Sequence, residues 1–120
     1  MPLTPDTRAI LSREVFAKLD RSSPLGAPVL INAGRGGLQN EADILACLDD
    51  GTLGAASLDV FVQEPLPADN PFWMHPKVVL TPHNAADTNA DEISKYVVRQ
   101  IERFEQGGTL DNVVDRKRGY

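Results

Sequence analysis

The chain has 120 residues, 42% hydrophobic and 24% charged, which is enough for one globular domain with one core. Its net charge of −5 argues against a general nucleic-acid binder, because phosphate binding needs a basic face, and the one basic cluster, Arg116-Lys117-Arg118, reads as a solvated tail. No apolar run approaches the roughly 20 residues of a membrane-spanning helix, Met1-Pro2-Leu3-Thr4 does not read as a signal peptide, and the single cysteine, Cys47, excludes an internal disulfide. A cytoplasmic chain without nucleic-acid or membrane partners and without a metal site is therefore expected.

In chain order, Pro2-Leu3-Thr4-Pro5 predicts extended structure or a turn. Ser12 is placed to cap a helix over about residues 13–20, with Val15, Phe16 and Leu19 on one face. Residues 22–26, Ser-Ser-Pro-Leu-Gly, read as a loop. The apolar run at 28–31, bounded by Pro28 and a glycine turn, predicts a buried strand. Asn40 is a good N-cap for a helix from Glu41, with Asp43 favouring its positive end and Gly51 closing it. Cys47 lies among Ile44, Leu45 and Leu48 and reads as a core residue. A second strand is expected at 54–61, then a Pro-rich loop over 64–71. Phe72-Trp73-Met74 predicts a short turn packed over the core, and 78–80 a third strand. A long amphipathic helix follows at about 89–104, with Ile93, Val97, Ile101 and Phe104 on its apolar face and Tyr96 beside them. Gly107-Gly108 stops it, and 109–120 reads as a polar tail. The alternation of helix and strand specifies an α/β fold with a parallel sheet and flanking helices.

In such a sheet every strand ends on one edge, and that edge is where ligands bind. Arg35 follows the first strand, in the turn Asn32-Ala33-Gly34-Arg35-Gly36-Gly37. The glycines would let a flat ligand approach the backbone, and a guanidinium can grip a carboxylate with two parallel hydrogen bonds. The plainer alternative is a solvated arginine in a flexible turn, and the stretch alone does not choose. Asp59 ends the second strand, Glu64 follows it, and His83 follows the third. His83 could exchange a proton near neutral pH, and a carboxylate such as Glu64 within reach would hold the ring and stabilise its charged form. Each of these also has an ordinary reading as a loop residue. Their convergence on one edge favours the functional one. His75, beside Pro76 and without such company, reads as structural.

Four motifs carry a family resemblance: Leu3-Thr4-Pro5-Asp6-Thr7; Leu30-Ile31-Asn32-Ala33-Gly34-Arg35-Gly36-Gly37; Leu58-Asp59-Val60-Phe61 followed by Glu64-Pro65-Leu66-Pro67; and Leu80-Thr81-Pro82-His83-Asn84-Ala85-Ala86. In their order and spacing the chain resembles the C-terminal part of a D-isomer-specific 2-hydroxyacid dehydrogenase, close to the glyoxylate/hydroxypyruvate reductase branch. The resemblance implies an oxidoreductase that transfers hydride between NAD or NADP, with NADP slightly favoured, and a small 2-oxo or 2-hydroxy acid such as glyoxylate or hydroxypyruvate, this chain being expected to be a fragment with little or no activity alone. It implies that Arg35 orients the substrate, that His83 is the general acid/base and that Glu64 pairs with it. Pro2, Ala33, Gly34, Arg35, Asp59, His83, Ala85 and Ala86 take cofactor-contacting positions, Asp59 near the nicotinamide carboxamide. It also implies a homodimer, with Trp73 in a segment able to reach a partner's substrate site. Asn84 departs from the aliphatic residue that the family usually carries there.

The phosphate-binding fingerprint of a dinucleotide fold is not completed. Gly34-Arg35-Gly36 begins it, but the third glycine position is Gln39, and Asp59, near the spacing of a ribose ligand, belongs to another motif. Residues 1–88 are accordingly expected to be the second half of a Rossmann-like NAD(P)-binding domain, and 89–120 a crossover helix with a C-terminal tail. The alternative is a non-enzymatic module that self-associates through its open sheet edge and exposed helix.

Overall fold

The computed structural model describes residues 1–22 and 24–120. Ser23, part of the loop expected at 22–26, lies outside the described residues. The chain divides into two compact units, Met1–Ala85 and Ala86–Tyr120.

The first unit is built on three parallel strands, β1 (Val29–Asn32), β2 (Ala55–Leu58) and β3 (Val78–Leu80), in the order β1-β2-β3. Val29 pairs with Ala55 and Asn32 with Leu58, while Ala56 pairs with Val78 and Leu58 with Leu80. Between β1 and β2 runs α2 (Glu41–Asp49), which buries Ile44, Cys47 and Leu48, one turn of spacing on a single face. The Asn40 side chain accepts the Asp43 amide at 3.2 Å, and Gly51, at φ +79°, turns the chain back after the helix. These α2 residues close the core with Phe16, Leu53, Leu58, Phe61 and Phe72. Phe72 enters from a 3-10 turn at Pro71–Met74, and its ring lies 6.4 Å from that of Phe61. The remainder of that turn does not pack over the core: Trp73 and Met74 are exposed.

Three expectations are corrected here. The first helix, α1, spans only Arg13–Phe16. Of its apolar residues Phe16 alone is buried and Leu19 is exposed, so nothing holds a longer helix to the core, and the chain leaves through turns closed by the Lys18 and Leu19 amides. Its cap is not the Ser12 side chain but Asp43 of α2, whose carboxylate accepts the Arg13 amide at 2.9 Å. Strand β1 is not buried on both faces. Leu30 and Asn32 point into the core, whereas Val29 and Ile31 are exposed, Ile31 at 72%. The register puts Val29, Ile31, Ala55, Ser57 and Val79 on that one face.

The second unit is a single long helix, α3 (Ala90–Glu105), and the segment after it. Asn89 caps α3 by accepting the Asp91 and Glu92 amides, and Gly107, at φ +72°, ends it. The tail is less free than its composition suggests. Asp111 pairs with Arg103, its amide donates to Gln100 at 2.9 Å, and Asn112 donates to the Tyr96 hydroxyl at 2.9 Å.

Candidate active site

The carboxyl ends of the three strands open on one edge of the sheet, and two of the predicted groups meet there. His83 Nδ1 lies 2.8 Å from Glu64 Oε2, with both side chains partly exposed. Glu64 is itself fixed: its Oε1 accepts the Phe61 amide at 2.9 Å. The His83 ring N–H, and then the Phe61 amide, hold the Glu64 carboxyl below the usual carboxylate range, against a small opposing effect of burial. An ionised Glu64 accepts a hydrogen bond from Nδ1–H and so leaves Nε2 as the free ring nitrogen, for which the described residues supply no partner. At this pair lies a cleft of about 550 Å³, lined by Phe61, Leu66, Trp73 and Leu80 and by Thr81, Pro82 and His83.

Asp59 shapes the loop that carries the histidine. It is buried, and it collects the Thr81 hydroxyl at 2.5 Å, the Asn84 amide at 3.0 Å and the Ala85 amide at 3.1 Å. The Thr81 hydroxyl chiefly, followed by the two amides, depresses the Asp59 carboxyl while burial opposes them. These bonds bracket His83, whose backbone sits in the left-handed region at φ +54°. Few non-glycine residues adopt that conformation, and it persists where the surroundings over-determine it.

Arg35 is exposed on the same edge, after β1. Its guanidinium donates to the Gly34 carbonyl at 2.8 Å, and among the described residues it bonds to neither Glu64 nor His83. Two of the glycines around it admit the protein's own chain: a Cβ on Gly36 would stand 1.8 Å from the Phe61 carbonyl oxygen, and one on Gly37 would stand 2.8 Å from the Leu3 side chain. At Gly34 the nearest atom to an added Cβ, Asn32 Oδ1, is 3.4 Å away. Among the remaining predicted positions, Ala33 and Ala85 are exposed, Gly34 is half-buried, and exposed Pro2 accepts the Thr7 hydroxyl at 2.9 Å. Ala86 is the exposed first residue of the second unit. His75 is tied locally, its ring accepting the Lys77 amide at 3.2 Å and lying 3.4 Å from Asp49.

Three residues of this region were not singled out from the sequence. Thr81 holds Asp59, while Asn32 and Gln39 form a buried polar network behind the Arg35 turn. The signal for Asn32 and Thr81 was a polar residue at the end of an apolar strand, and for Gln39 a polar residue after the glycine turn. It is weak, because turns are rich in such residues.

The residues present suit one end of a nicotinamide dinucleotide. A carboxylate-bound histidine stands at the same sheet edge as exposed, small-residue backbone at Ala33 and Ala85. They do not suit its phosphates, since Gly36 is filled by Phe61 and Gln39 is buried at the third fingerprint position.

A parallel α/β sheet with a carboxylate-bound histidine on its carboxyl edge is the architecture of a dehydrogenase nucleotide domain. The family model described as D-isomer specific 2-hydroxyacid dehydrogenase, NAD binding domain, matches residues 1–85, and the chain belongs to that family. A glyoxylate/hydroxypyruvate reductase A from Salmonella paratyphi B is 47% identical over 120 residues, covering 100% of this chain and 37% of that protein. The crystal structure of an NADPH-dependent glyoxylate/hydroxypyruvate reductase from Sinorhizobium meliloti, in complex with NADP and sulfate, is 57% identical. It superposes with a TM-score of 0.97 over 100% of this chain and 38% of that one. A probable 2-hydroxyacid dehydrogenase from Rhizobium etli, in complex with NADP, HEPES and L(+)-tartaric acid, is 49% identical with a TM-score of 0.93, again over 100% and 38%. The chain thus spans little more than a third of the length of the relatives that it matches.

Proposed function

We propose that this chain carries the acid–base and substrate-gripping half of a reductase acting on small 2-oxo acids with NADPH. The observation that carries the reading is the 2.8 Å contact between His83 Nδ1 and Glu64 at the carboxyl edge of the sheet, beside the cleft. Residues 1–88 are then the second half of a Rossmann-like nucleotide domain, and 89–120 its crossover helix and tail. NADP is favoured over NAD because two similar proteins are described as complexes with NADP. The reduced nicotinamide, when bound, supplies the hydride that reaches the substrate carbonyl carbon.

The chain's own residues supply the rest. Arg35, with one guanidinium N–H given to Gly34, keeps further donors for the substrate carboxylate. Glu64 holds the His83 ring in one orientation, so that Nε2 faces the carbonyl oxygen. His83 gives its Nε2 proton to that oxygen as the C–O π electrons move onto it, and the alcohol forms. In the oxidation direction the same nitrogen accepts the hydroxyl proton. Asp59 contributes by fixing the loop that presents the histidine, and Ala33, Gly34 and Ala85 offer the backbone against which the cofactor would lie.

The test is oxidation of NADPH and NADH by the purified chain with glyoxylate or hydroxypyruvate, followed by ultraviolet absorbance. Turnover that prefers NADPH and falls by about 10²-fold or more in His83→Ala supports the reading. A folded chain without turnover is a fragment whose catalytic residues act only within a longer enzyme, and turnover that survives His83→Ala overturns the reading.

A second reading, a self-associating module, draws on the exposed face of Val29, Ile31 and Val79. A concentration-dependent dimer in sedimentation supports it, and that dimer is equally the state expected of the enzyme. A monomer at all concentrations removes both.

A further inference from the structure

Gln39 is 2% exposed and uses every polar atom of its side chain. Its Nε2 donates to the Val60 carbonyl at 3.0 Å and to Glu41 Oε1 at 3.4 Å, and its Oε1 accepts from Asn32 Nδ2 at 2.7 Å. Asn32 wraps the turn that carries Arg35: its Oδ1 accepts the Gly34 amide at 3.1 Å, and its Nδ2 also donates to the Arg35 carbonyl at 3.2 Å. At the other end, Glu41 Oε1 accepts the Val62 amide at 2.8 Å. Val60 and Val62 flank Phe61, the residue whose amide holds Glu64. A continuous chain of hydrogen bonds therefore runs from the Arg35 turn, through Asn32 and Gln39, to the short segment that fixes the partner of His83.

We infer that Gln39 is a positioning residue that sets Glu64 against His83 and ties that pair to the Arg35 turn. It touches no reacting atom and acts through the backbone at 60–62. The inference rests on the reading of Glu64 and His83 as the acid–base pair, but its geometry is tested without turnover. Buried amide networks are rigid when fully satisfied, because each unmade bond in a low-dielectric interior is costly. Gln39 has three such bonds and spans 21 residues of sequence in its bond to Val60. A residue merely filling space at this position would need neither.

The test is the tautomer of the His83 ring, read from its ring nitrogen chemical shifts in the 120-residue chain at alkaline pH. The other imidazole, His75, is assigned by His75→Gln. In the wild type the ring carries its proton on Nδ1, facing Glu64. In Gln39→Met, which keeps the volume and removes the hydrogen bonds, the Nδ1–H to Nε2–H ratio is expected to fall by about tenfold, toward the ratio in Glu64→Gln. An unchanged ratio in a folded Gln39→Met chain overturns the inference. If Gln39→Met does not fold, Glu41→Ala, on the surface side of the same network, decides: a fallen ratio supports the inference and an unchanged one overturns it. Absence of NADPH oxidation by the wild-type chain bears on the proposed function and not on this inference, which stands or falls with the ratio in Gln39→Met.

Discussion

Asp59 and Thr81, at the ends of neighbouring strands, are joined by a hydrogen bond of 2.5 Å, and the same carboxylate then takes the backbone amides of Asn84 and Ala85. The loop carrying His83 is thus folded around a buried anion. Those donors keep the Asp59 carboxyl below its ordinary value in the folded state. A carboxyl depressed in this way stabilises the fold fully above its unfolded value, about pH 4, and the stabilisation is lost as pH falls through the lower folded value. Asp59→Asn removes that contribution and turns an amide N–H toward donors. The variant is expected to melt below the wild type at pH 7 and to show a flatter loss of melting temperature on acidification below about pH 4. Melting followed by circular dichroism across that range checks this, and parallel curves for the two proteins would contradict it.

His83 pays a conformational cost for its place in the loop, with φ at +54°. Glycine adopts that region freely, and alanine does not. His83→Gly is therefore expected to be more stable than His83→Ala by about 1 kcal/mol, although both lack the imidazole. Urea unfolding of the two variants measures the difference. Equal stabilities would mean that the loop relaxes out of the left-handed conformation once the ring is gone.

The parallel sheet, the α2 helix and the meeting of Glu64 with His83 were legible because each rests on a local signal. These are the apolar runs at 29–31 and 78–80, the cap at Asn40 with Gly51, and polar residues at strand ends. The length of α1 was not legible, since its periodicity continues to Leu19 while the core reaches only Phe16. Nor was the exposed side of β1, because an apolar run does not reveal whether both of its faces are covered. The roles of Gly36 and Gln39 depend on Phe61 and Val60, more than 20 residues away, and composition near Arg35 carries no trace of that contact.

The glycines of the Arg35 turn are expected to differ sharply under substitution. An added Cβ at Gly36 falls 1.8 Å from the Phe61 carbonyl oxygen, so the backbone of one segment or the other must move. At Gly34 the nearest atom, Asn32 Oδ1, is 3.4 Å away, an ordinary contact. Gly36→Ala should cost about 3 kcal/mol or leave the chain unfolded, whereas Gly34→Ala should change stability by less than about 1 kcal/mol. Chemical denaturation of both variants tests the contrast, and similar costs would show that the close approach of Gly36 to Phe61 does not hold in solution.

The pairing of Glu64 with His83 has its own signature in the carboxylate. The ring N–H is the leading cause of the depressed Glu64 carboxyl, and the Phe61 amide is the second. A carbon-detected titration of Glu64 should give a midpoint below the ordinary glutamate value of about 4.3. In His83→Ala the leading cause is gone, and the Phe61 amide is opposed by burial and by the Asp59 charge, so the midpoint should rise above that of the wild type. The stabilisation linked to this group is present above the unfolded carboxyl value and disappears as pH falls through the folded one. It is small, because Glu64 is 38% exposed and the pair is screened by solvent. High salt should therefore raise the wild-type midpoint more than that of His83→Ala, whose remaining hydrogen bond is to a neutral amide. A wild-type midpoint at or above the ordinary value would show that the ring and the carboxylate are apart in solution, and the acid–base assignment built on their contact would fall with it.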